Sequence, residues 1–410
     1  MNVSLWAVAR RVADSVGWLL FGGLGLVLHL TGGRAHFEPH TIRRILVIRL
    51  DLLGDFVFTL PAVQALRAAY PQAELTLLTL EYTRPLATLV PGVDRVLALD
   101  LNQYRRPAGW RRLGEVLRLV RQLRAARFDL CVAVHGRPAG ILALLSGARY
   151  RVGYAAHAYP FAFNRPVAGR RYVQRRHEVE YGLALARAAG AEGPAQPALP
   201  APPGRVSVPG LASGERYVVL HPGASNGSAK RWPAAAWARL VEQVWTRLGM
   251  RAVVTGSAAE RALVESVVAH AGAAAVGLVG APLHELVAVL AGAEAVVAGD
   301  TGPLHVAAAL GRPVVGIYGP TDPAQTGPRG PRVAVVRRPV PCGPCYDLRG
   351  PAECKLPERS VACMRDLGVD GVLGALLAVL GHRPAEEAAP GAAGSGASPA
   401  GTVAEASRFT

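Results

Sequence analysis

The sequence lacks several signals that mark common classes of protein. After the first apolar strand, the turn carries one glycine, Gly54, instead of the G-x-G-x-x-G pattern, which argues against a dinucleotide-binding site. Five cysteines in 410 residues argue against a secreted disulfide scaffold. Lysine is almost absent, and no module of interleaved aromatic and basic residues marks a nucleic-acid interface. Any functional site must therefore be sought in other features.

Arginine dominates the charge of the chain. The formal net charge is +16, and almost all of the positive charge is arginine. A strongly basic chain favours acidic partners, which are nucleic acid, an anionic membrane, or phosphorylated and carboxylated substrates. Hydrophobic residues make up 51% of the sequence and charged residues 18%, a balance that suits two α/β domains with sizeable cores.

Residues 1–40 form the first predicted unit, an apolar segment that associates with a membrane. Val16 to Leu30 is almost wholly apolar and has arginines on both sides. About 15 residues are short for a transmembrane helix, which needs roughly 20, and no A-x-A-like cleavage site follows. We expect a helix that lies in the membrane interface. A full span, internal packing and a cleaved signal are the alternatives.

Strand-like and helix-like segments alternate in two long stretches. The first covers residues 41–190 and begins with the apolar run Ile45–Leu50, after which a polar turn leads into a helix predicted to run from Asp55 to about Tyr70. The second covers residues 215–383 and begins at Tyr217–His221. Such alternation predicts two doubly wound parallel sheets, which we expect to face each other across a cleft.

Two stretches of biased composition bound the second unit. Residues 191–214 are rich in Pro, Ala and Gly, which predicts a linker. Residues 384–410 consist mostly of Ala, Gly, Pro, Ser and Glu, which cannot build a core, and we expect a disordered tail. The two predicted domains therefore lie between the apolar N-terminus and this tail.

The turn Gly299–Gly302 is the most informative local feature. It ends a Val-rich apolar run, and Pro303 then begins an Ala- and Leu-rich helix. Thr301 is a good helix cap, and the last glycine of the turn lets a ligand approach the backbone. The helix start offers free N–H groups and a partial positive charge to a phosphate, with Asp300 and His305 on either side. An ordinary strand-to-helix turn is the alternative.

The turn after the first strand contains a candidate general base. Asp55 begins a helix at the carboxyl end of the strand, where active sites of doubly wound sheets lie. The alternative is a carboxylate that interacts only with the helix dipole. Arg49, the charged residue within the same run Ile45–Leu50, is assigned to the acceptor side of the cleft.

Polar residues follow two strands of the second domain. Ser225 lies in the turn after Tyr217–His221, and Lys230 precedes the next helix without matching P-loop spacing. Lys230 can still neutralise a diphosphate as a point charge. Glu260 follows the next strand, where it either accepts hydrogen bonds from a ribose or is a solvated residue of a first helical turn.

Four cysteines lie close together near the C-terminus, with the spacing C-x2-C-x8-C-x8-C: Cys342, Cys345, Cys354 and Cys363. Four thiolates within one loop can bind zinc tetrahedrally. Only one pair has the spacing of a metal knuckle, so reduced thiols and disulfides are the alternatives. No metal is assigned to the active site. Cys131 lies in an apolar strand and is interpreted as a core residue.

Taken together, four stretches resemble glycosyltransferase family 9, the heptosyltransferases of lipopolysaccharide inner-core assembly. They are Ile45–Pro61, His221–Pro233, Gly299–Ala309 and Gly319–Thr326. The likeness spans about residues 43–380 in the right order and leaves out the apolar N-terminus and the tail. It implies a GT-B fold and an inverting, metal-independent transfer to a hydroxyl from a nucleotide-activated sugar, typically ADP-heptose, with no cofactor required.

The resemblance also implies roles for individual residues. Asp55 resembles the base that takes the acceptor proton, and Lys230 resembles the cation that binds the donor diphosphate. The stretch Asp300–Gly302 resembles the donor-binding turn, and His305 resembles its neighbour in the helix. Closure of the two domains is expected to assemble this site.

The expected acceptor is a lipid-linked anionic saccharide at the cytoplasmic face of a bacterial inner membrane. The basic surface and the apolar N-terminus both suit an acceptor held in an anionic bilayer. The alternative is a non-catalytic membrane or nucleic-acid binding protein on the same GT-B scaffold, which the net charge alone supports. A nucleotide-sugar epimerase or hydrolase is a third interpretation, and the missing glycine fingerprint argues against the epimerase.

Overall fold

A computed structural model describes residues 36–100, 110–156, 160–169, 171–204, 207–348, 351–356 and 361–382. The predicted membrane-associating stretch Val16 to Leu30 and the predicted tail at 384–410 lie outside these ranges. Within the described ranges, no helix has the length and apolar character needed to cross a membrane.

The first domain is a six-stranded parallel sheet. Its order is β3-β2-β1-β4-β5-β6. The strands are β1 Arg44–Ile48, β2 Glu74–Leu80, β3 Arg95–Leu99, β4 Leu130–Ala133, β5 Tyr150–Tyr154 and β6 Arg165–Val167. Apart from Arg44, the two central strands β1 and β4 are buried throughout, as expected for parallel strands covered by helices on both faces.

The second domain is also a six-stranded parallel sheet, with the order β12-β11-β10-β7-β8-β9. The strands are β7 Tyr217–His221, β8 Arg251–Gly256, β9 Ala275–Val279, β10 Val296–Gly299, β11 Val314–Tyr318 and β12 Val333–Arg337. Reversed, this order is β9-β8-β7-β10-β11-β12, which matches the order of the first domain strand for strand. Both sheets have the order of the dinucleotide-binding fold, which confirms the predicted pair of doubly wound sheets.

Fourteen α-helices lie in the described ranges. In the first domain they are α1 Leu53–Val57, α2 Leu60–Ala69, α3 Arg84–Ala87, α4 Trp110–Ala125, α5 Arg137–Leu145, α6 Arg171–Gln174 and α7 Glu178–Ala188. In the second they are α8 Ala234–Leu248, α9 Arg261–Ala271, α10 Leu283–Gly292, α11 Gly302–Ala309, α12 Pro323–Thr326, α13 Ala362–Arg365 and α14 Val369–Val379.

The single helix predicted from Asp55 to Tyr70 is wrong in one respect. The segment forms two helices, α1 and α2, which are separated at Phe58 and Thr59. Pro61 lies in the first turn of α2 and has no N–H to donate, so it suits a helix start better than a helix interior. The break turns α1 into a short separate helix at the carboxyl end of β1.

The two domains touch where α1 meets α11. An added Cβ on Gly302 would lie 2.7 Å from the Leu53 Cβ, and one on Gly54 would lie 2.9 Å from the His305 Cδ2. Real Cβ atoms do not approach other atoms so closely, so both positions need glycine. The two helix starts that follow β1 and β10 are thus held against each other.

Candidate active site

A cleft of about 690 Å³ lies between the two sheets. In each doubly wound sheet a crevice opens at the carboxyl ends of the strands where the strand order reverses. These switch points lie between β1 and β4 in one domain and between β7 and β10 in the other. Residues after all four strands line the cleft, including Asp55, His135, Ser225 and Asp300.

Asp55 is held by a buried arginine. Arg49 is 4% exposed, and its Nη2 lies 3.0 Å from the Asp55 Oδ1, while its Nε lies 3.2 Å from the Asp51 Oδ2. Both carboxylates line the cleft, but Arg49 does not. The residue assigned to the acceptor side therefore lies behind the cleft wall, where it fixes the orientation of two carboxylates.

Asp300 is the centre of a buried polar cluster. Its Oδ2 lies 2.9 Å from the Lys230 Nζ, and its Oδ1 lies 3.3 Å from both the His305 Nε2 and the Tyr318 hydroxyl. Burial opposes ionisation, but Lys230 and the hydrogen bond from His305 outweigh it, so the pKa of Asp300 lies well below its ordinary value. Lys230 thus already has an anionic partner, which the sequence did not indicate.

Thr301 occupies the N-cap position of α11, but its side chain does not cap the helix. The hydroxyl donates instead to the Gly299 carbonyl at 3.3 Å. The predicted side-chain cap is therefore wrong. Thr301, Gly302 and Pro303 line the cleft, so the start of the helix faces the cavity. Because no side-chain cap occupies the start of α11, its first backbone N–H groups can bind a ligand in the cleft.

Glu260 is buried in the wall of the cleft. Only 7% of it is exposed, which rules out the solvated alternative. Its Oε2 accepts hydrogen bonds from the Ser257 backbone N–H at 2.9 Å and from the Ser257 hydroxyl at 2.8 Å. Burial acts to raise the pKa of Glu260, but these bonds to Ser257 outweigh it and the pKa is lowered. Among the described residues, its Oε1 has no hydrogen-bond partner.

Several residues of the cleft were not identified from the sequence: His135, Tyr82, Glu178, His221, Tyr346 and Leu348. His135 and Tyr82 follow β4 and β2, so the rule that sites lie after strands would have found both. Tyr82 donates a hydrogen bond to the Asp51 carbonyl at 3.0 Å. No local signal marks Tyr346, which reaches the cleft from the segment that contains the cysteines.

His177 connects the two domains. Its Nδ1 accepts a hydrogen bond from the Val179 N–H at 3.2 Å and caps α7, so the ring proton lies on Nε2 and is donated to the Gly327 carbonyl at 2.9 Å. The ring also packs edge-on against Phe58. Burial, aided by the charge of Arg329, lowers the pKa of His177 to about 3.

All five cysteines are free thiols. Cys131 is buried in β4, and burial raises its pKa to about 12, in line with its interpretation as a core residue. The other four line a second cavity of about 200 Å³ on the far side of the Lys230 loop. Within the part of the chain that is described, no three side chains of His, Cys, Asp or Glu already meet in a metal-binding arrangement.

Comparison with known proteins identifies the family. The sequence model of glycosyltransferase family 9 (heptosyltransferase) matches residues 116–355, which is more than half of the chain. The chain belongs to glycosyltransferase family 9. It is 31% identical over 323 residues to lipopolysaccharide heptosyltransferase 1 of Pseudomonas aeruginosa, and the match covers 74% of this chain and 86% of that protein.

Two further relatives agree with this assignment. Lipopolysaccharide heptosyltransferase 2 of Salmonella typhimurium is 29% identical over 72% of this chain and 88% of its own length. The solved structure of the Escherichia coli ADP-heptose lipopolysaccharide heptosyltransferase II superposes with a TM-score of 0.64 at 26% identity, and covers 82% of this chain and 98% of that one. The chain is therefore a glycosyltransferase with the GT-B architecture, which does not support the non-catalytic alternative.

Proposed function

We propose that this glycosyltransferase moves a heptose from ADP-heptose to a hydroxyl of a lipid-linked anionic saccharide in lipopolysaccharide core assembly, with inversion at the anomeric carbon. The observation that carries the proposal is the juxtaposition of Asp55 with the start of α11 across one cleft. Asp55 supplies a base, and the start of α11 supplies a binding site for a diphosphate.

Asp55 is the general base of the proposed reaction. It takes the proton of the acceptor hydroxyl while the oxygen attacks the anomeric carbon, and the bond from that carbon to the diphosphate oxygen breaks on the opposite face. ADP leaves with the electron pair of the broken bond. The contact with Arg49 fixes the carboxylate in orientation, as a base in an inverting transfer requires.

The start of α11 and Lys230 stabilise the leaving group. Charge that develops on the diphosphate is met by the N–H groups and the partial positive charge of the helix start. Lys230 approaches from the loop beside it, and it shares its charge between Asp300 and the incoming phosphate. The neighbouring His305 holds Asp300 in position.

Glu260 binds the ribose of the nucleotide. The Oε1 atom has an open acceptor position in a cleft-lining residue, and a ribose hydroxyl is a donor that satisfies it. A buried acceptor without a partner is costly, so filling it contributes to binding. Ser225 is exposed in the same wall and is proposed as a further donor-binding residue.

The acceptor is proposed to reach the site from the cytoplasmic face of the inner membrane. Exposed arginines on α4, which are Arg118, Arg121 and Arg124, suit an anionic bilayer or an anionic saccharide. The apolar segment at residues 1–40 is proposed to hold the enzyme at that surface. The proposed transfer uses no metal or organic cofactor, because a base, a lysine and a helix start supply the charges it needs.

The experiment that tests the donor measures thermal stabilisation of the full chain by ADP, UDP, GDP and dTDP. A ligand at 100 times its Kd adds about 2.7 kcal/mol of stability. We expect selective stabilisation by ADP, which Lys230→Ala weakens, and transfer from ADP-heptose to give the inverted anomer. Equal stabilisation by all four nucleotides, or by none of them, would contradict an ADP-linked donor.

A further inference from the structure

The four clustered cysteines have no role in the proposed transfer. They lie in residues 342–363, here called the cysteine segment, which leads from β12 towards α13. In its described parts the segment has almost no regular secondary structure before α13. Long segments of this kind within a compact domain need contacts of another type to hold them in one conformation.

The four thiols share one cavity. Cys342, Cys345, Cys354 and Cys363 all line the space of about 200 Å³, together with apolar and proline side chains and the charged residues Arg338 and Asp366. Four sulfur ligands around one small cavity form the ligand set that zinc or iron prefers over hard cations.

The backbone at the first pair of thiols is already fixed. The Cys345 and Tyr346 N–H groups both donate to the Pro320 carbonyl, at 3.0 and 2.9 Å, and the Gly343 N–H donates to the Val340 carbonyl at 3.0 Å. These bonds hold Cys342 and Cys345 on one tight turn. The four cysteines line the wall of the cavity but do not form a metal-binding arrangement among the described residues, so binding an ion requires their side chains to move.

We propose that Cys342, Cys345, Cys354 and Cys363 bind one thiophilic metal ion, zinc or iron, in a tetrahedral structural site. No catalytic step passes through this ion. It ties the turn at Cys342 and Cys345 to the start of α13, where Cys363 lies, and to the loop that contains Cys354. The whole cysteine segment is thereby closed into a fixed shape.

The cysteine segment packs on the loop that contains Lys230, so the metal site acts on the cleft. The Tyr346 hydroxyl accepts a hydrogen bond from the Asn226 Nδ2 at 3.0 Å, and the Lys230 Nζ lies 5.2 Å from the centre of the Tyr346 ring. A second hydrogen bond joins the same two segments: the Glu353 Oε2 accepts it from the Ser228 hydroxyl at 2.6 Å. Loss of the ion is expected to loosen this wall and to weaken nucleotide binding, an effect that rests on the proposed function.

The decisive experiment measures metal content and does not depend on activity. The full chain is expressed with both zinc and iron in the medium, purified without chelator and analysed by elemental mass spectrometry. We expect about one equivalent of zinc or iron per chain, and the identity of the metal distinguishes the two. The double variant C342S/C345S should retain less than about 0.2 equivalents, whereas the matched control Cys131→Ala should retain the metal.

A second measurement covers the case in which the double variant does not fold. The wild-type chain is stripped with a chelator and titrated with Co²⁺, which reports tetrahedral thiolate ligation through its absorption bands. Less than about 0.2 equivalents of either metal in the wild-type chain, no tetrahedral cobalt spectrum, or disulfides among these cysteines would overturn the proposal. A metal-loaded chain that ADP does not stabilise would leave the metal site standing and count against the proposed donor.

Discussion

His177 makes the stability of the protein depend on pH in a way that can be worked out from its contacts. In the folded chain both ring nitrogens are used, one as acceptor from Val179 and one as donor to Gly327, so a second proton breaks the cap of α7. The folded pKa is about 3, against 6.5 in the unfolded chain. As pH falls below 6.5 the unfolded chain takes up a proton that the folded chain does not bind, and stability falls with it.

The size of the effect follows from the two pKa values. Their difference corresponds to about 5 kcal/mol once pH lies below both, and about 2 kcal/mol of that is lost between pH 7 and pH 5. For a single domain of 150–250 residues, 2 kcal/mol corresponds to about 4–8 °C in Tm, and the shift is proportionally smaller when both domains unfold together. Other groups also titrate in this range, so the effect of His177 must be separated from theirs.

The assay compares the wild-type chain with His177→Asn, in which asparagine is itself a good helix cap but has no proton to gain. Tm is measured for both at pH 7 and pH 5. We expect the free energy of unfolding of the wild-type chain to fall by about 2 kcal/mol more than that of the variant between pH 7 and pH 5. The exposed histidine His270 provides a matched substitution away from the contact between the domains, His270→Asn, and its Tm is measured at the same two pH values. Equal losses in wild type and His177→Asn would refute the reasoning.

Three further predictions test the cleft. Asp55→Asn should keep the fold and ADP binding but lose transfer by 100-fold or more, on the order of a general-base contribution; wild-type turnover would remove Asp55 from that role. Glu260→Gln should lower the affinity for ADP by about tenfold, a typical loss for a hydrogen bond to a charged group, and leave the affinity for pyrophosphate unchanged. Isothermal titration measures both affinities, and an equal loss for the two ligands would contradict a ribose contact. Gly54→Ala should destabilise the fold by about 1–3 kcal/mol in urea through overlap with His305, whereas Gly114→Ala, with open space around it, should not.

Much of the fold follows from local patterns in the sequence. Continuous apolar runs predict the central strands, because parallel strands covered on both faces are apolar along their whole length. The edge strands β6 and β12 were not predicted, and neither was β5, whose short run contains Arg151 and Gly153. Arg165–Val167 has three residues and a proline, and Val333–Arg337 has no fully buried residue, so neither gives the signal of a buried strand.

The candidate site was predicted less completely, because much of it is made by residues distant in sequence. The turns that contain Asp55 and Asp300 follow strands, and position alone identifies them. The pairing of Lys230 with Asp300 joins residues 70 positions apart, and no spacing rule indicates it. The burial of Glu260 likewise depends on the close approach of Gly223, which the fold brings to it.

The contact of Gly54 with His305 and of Gly302 with Leu53 has a mechanical consequence. The domains touch at α1 and at the start of α11, so this contact is the pivot of any rotation that preserves it. Points near a pivot move least, which means that such a rotation would widen the distal parts of the cleft while Asp55 and the start of α11 kept their spacing. Substrates could then enter and leave at the rim without disassembly of the reacting centre.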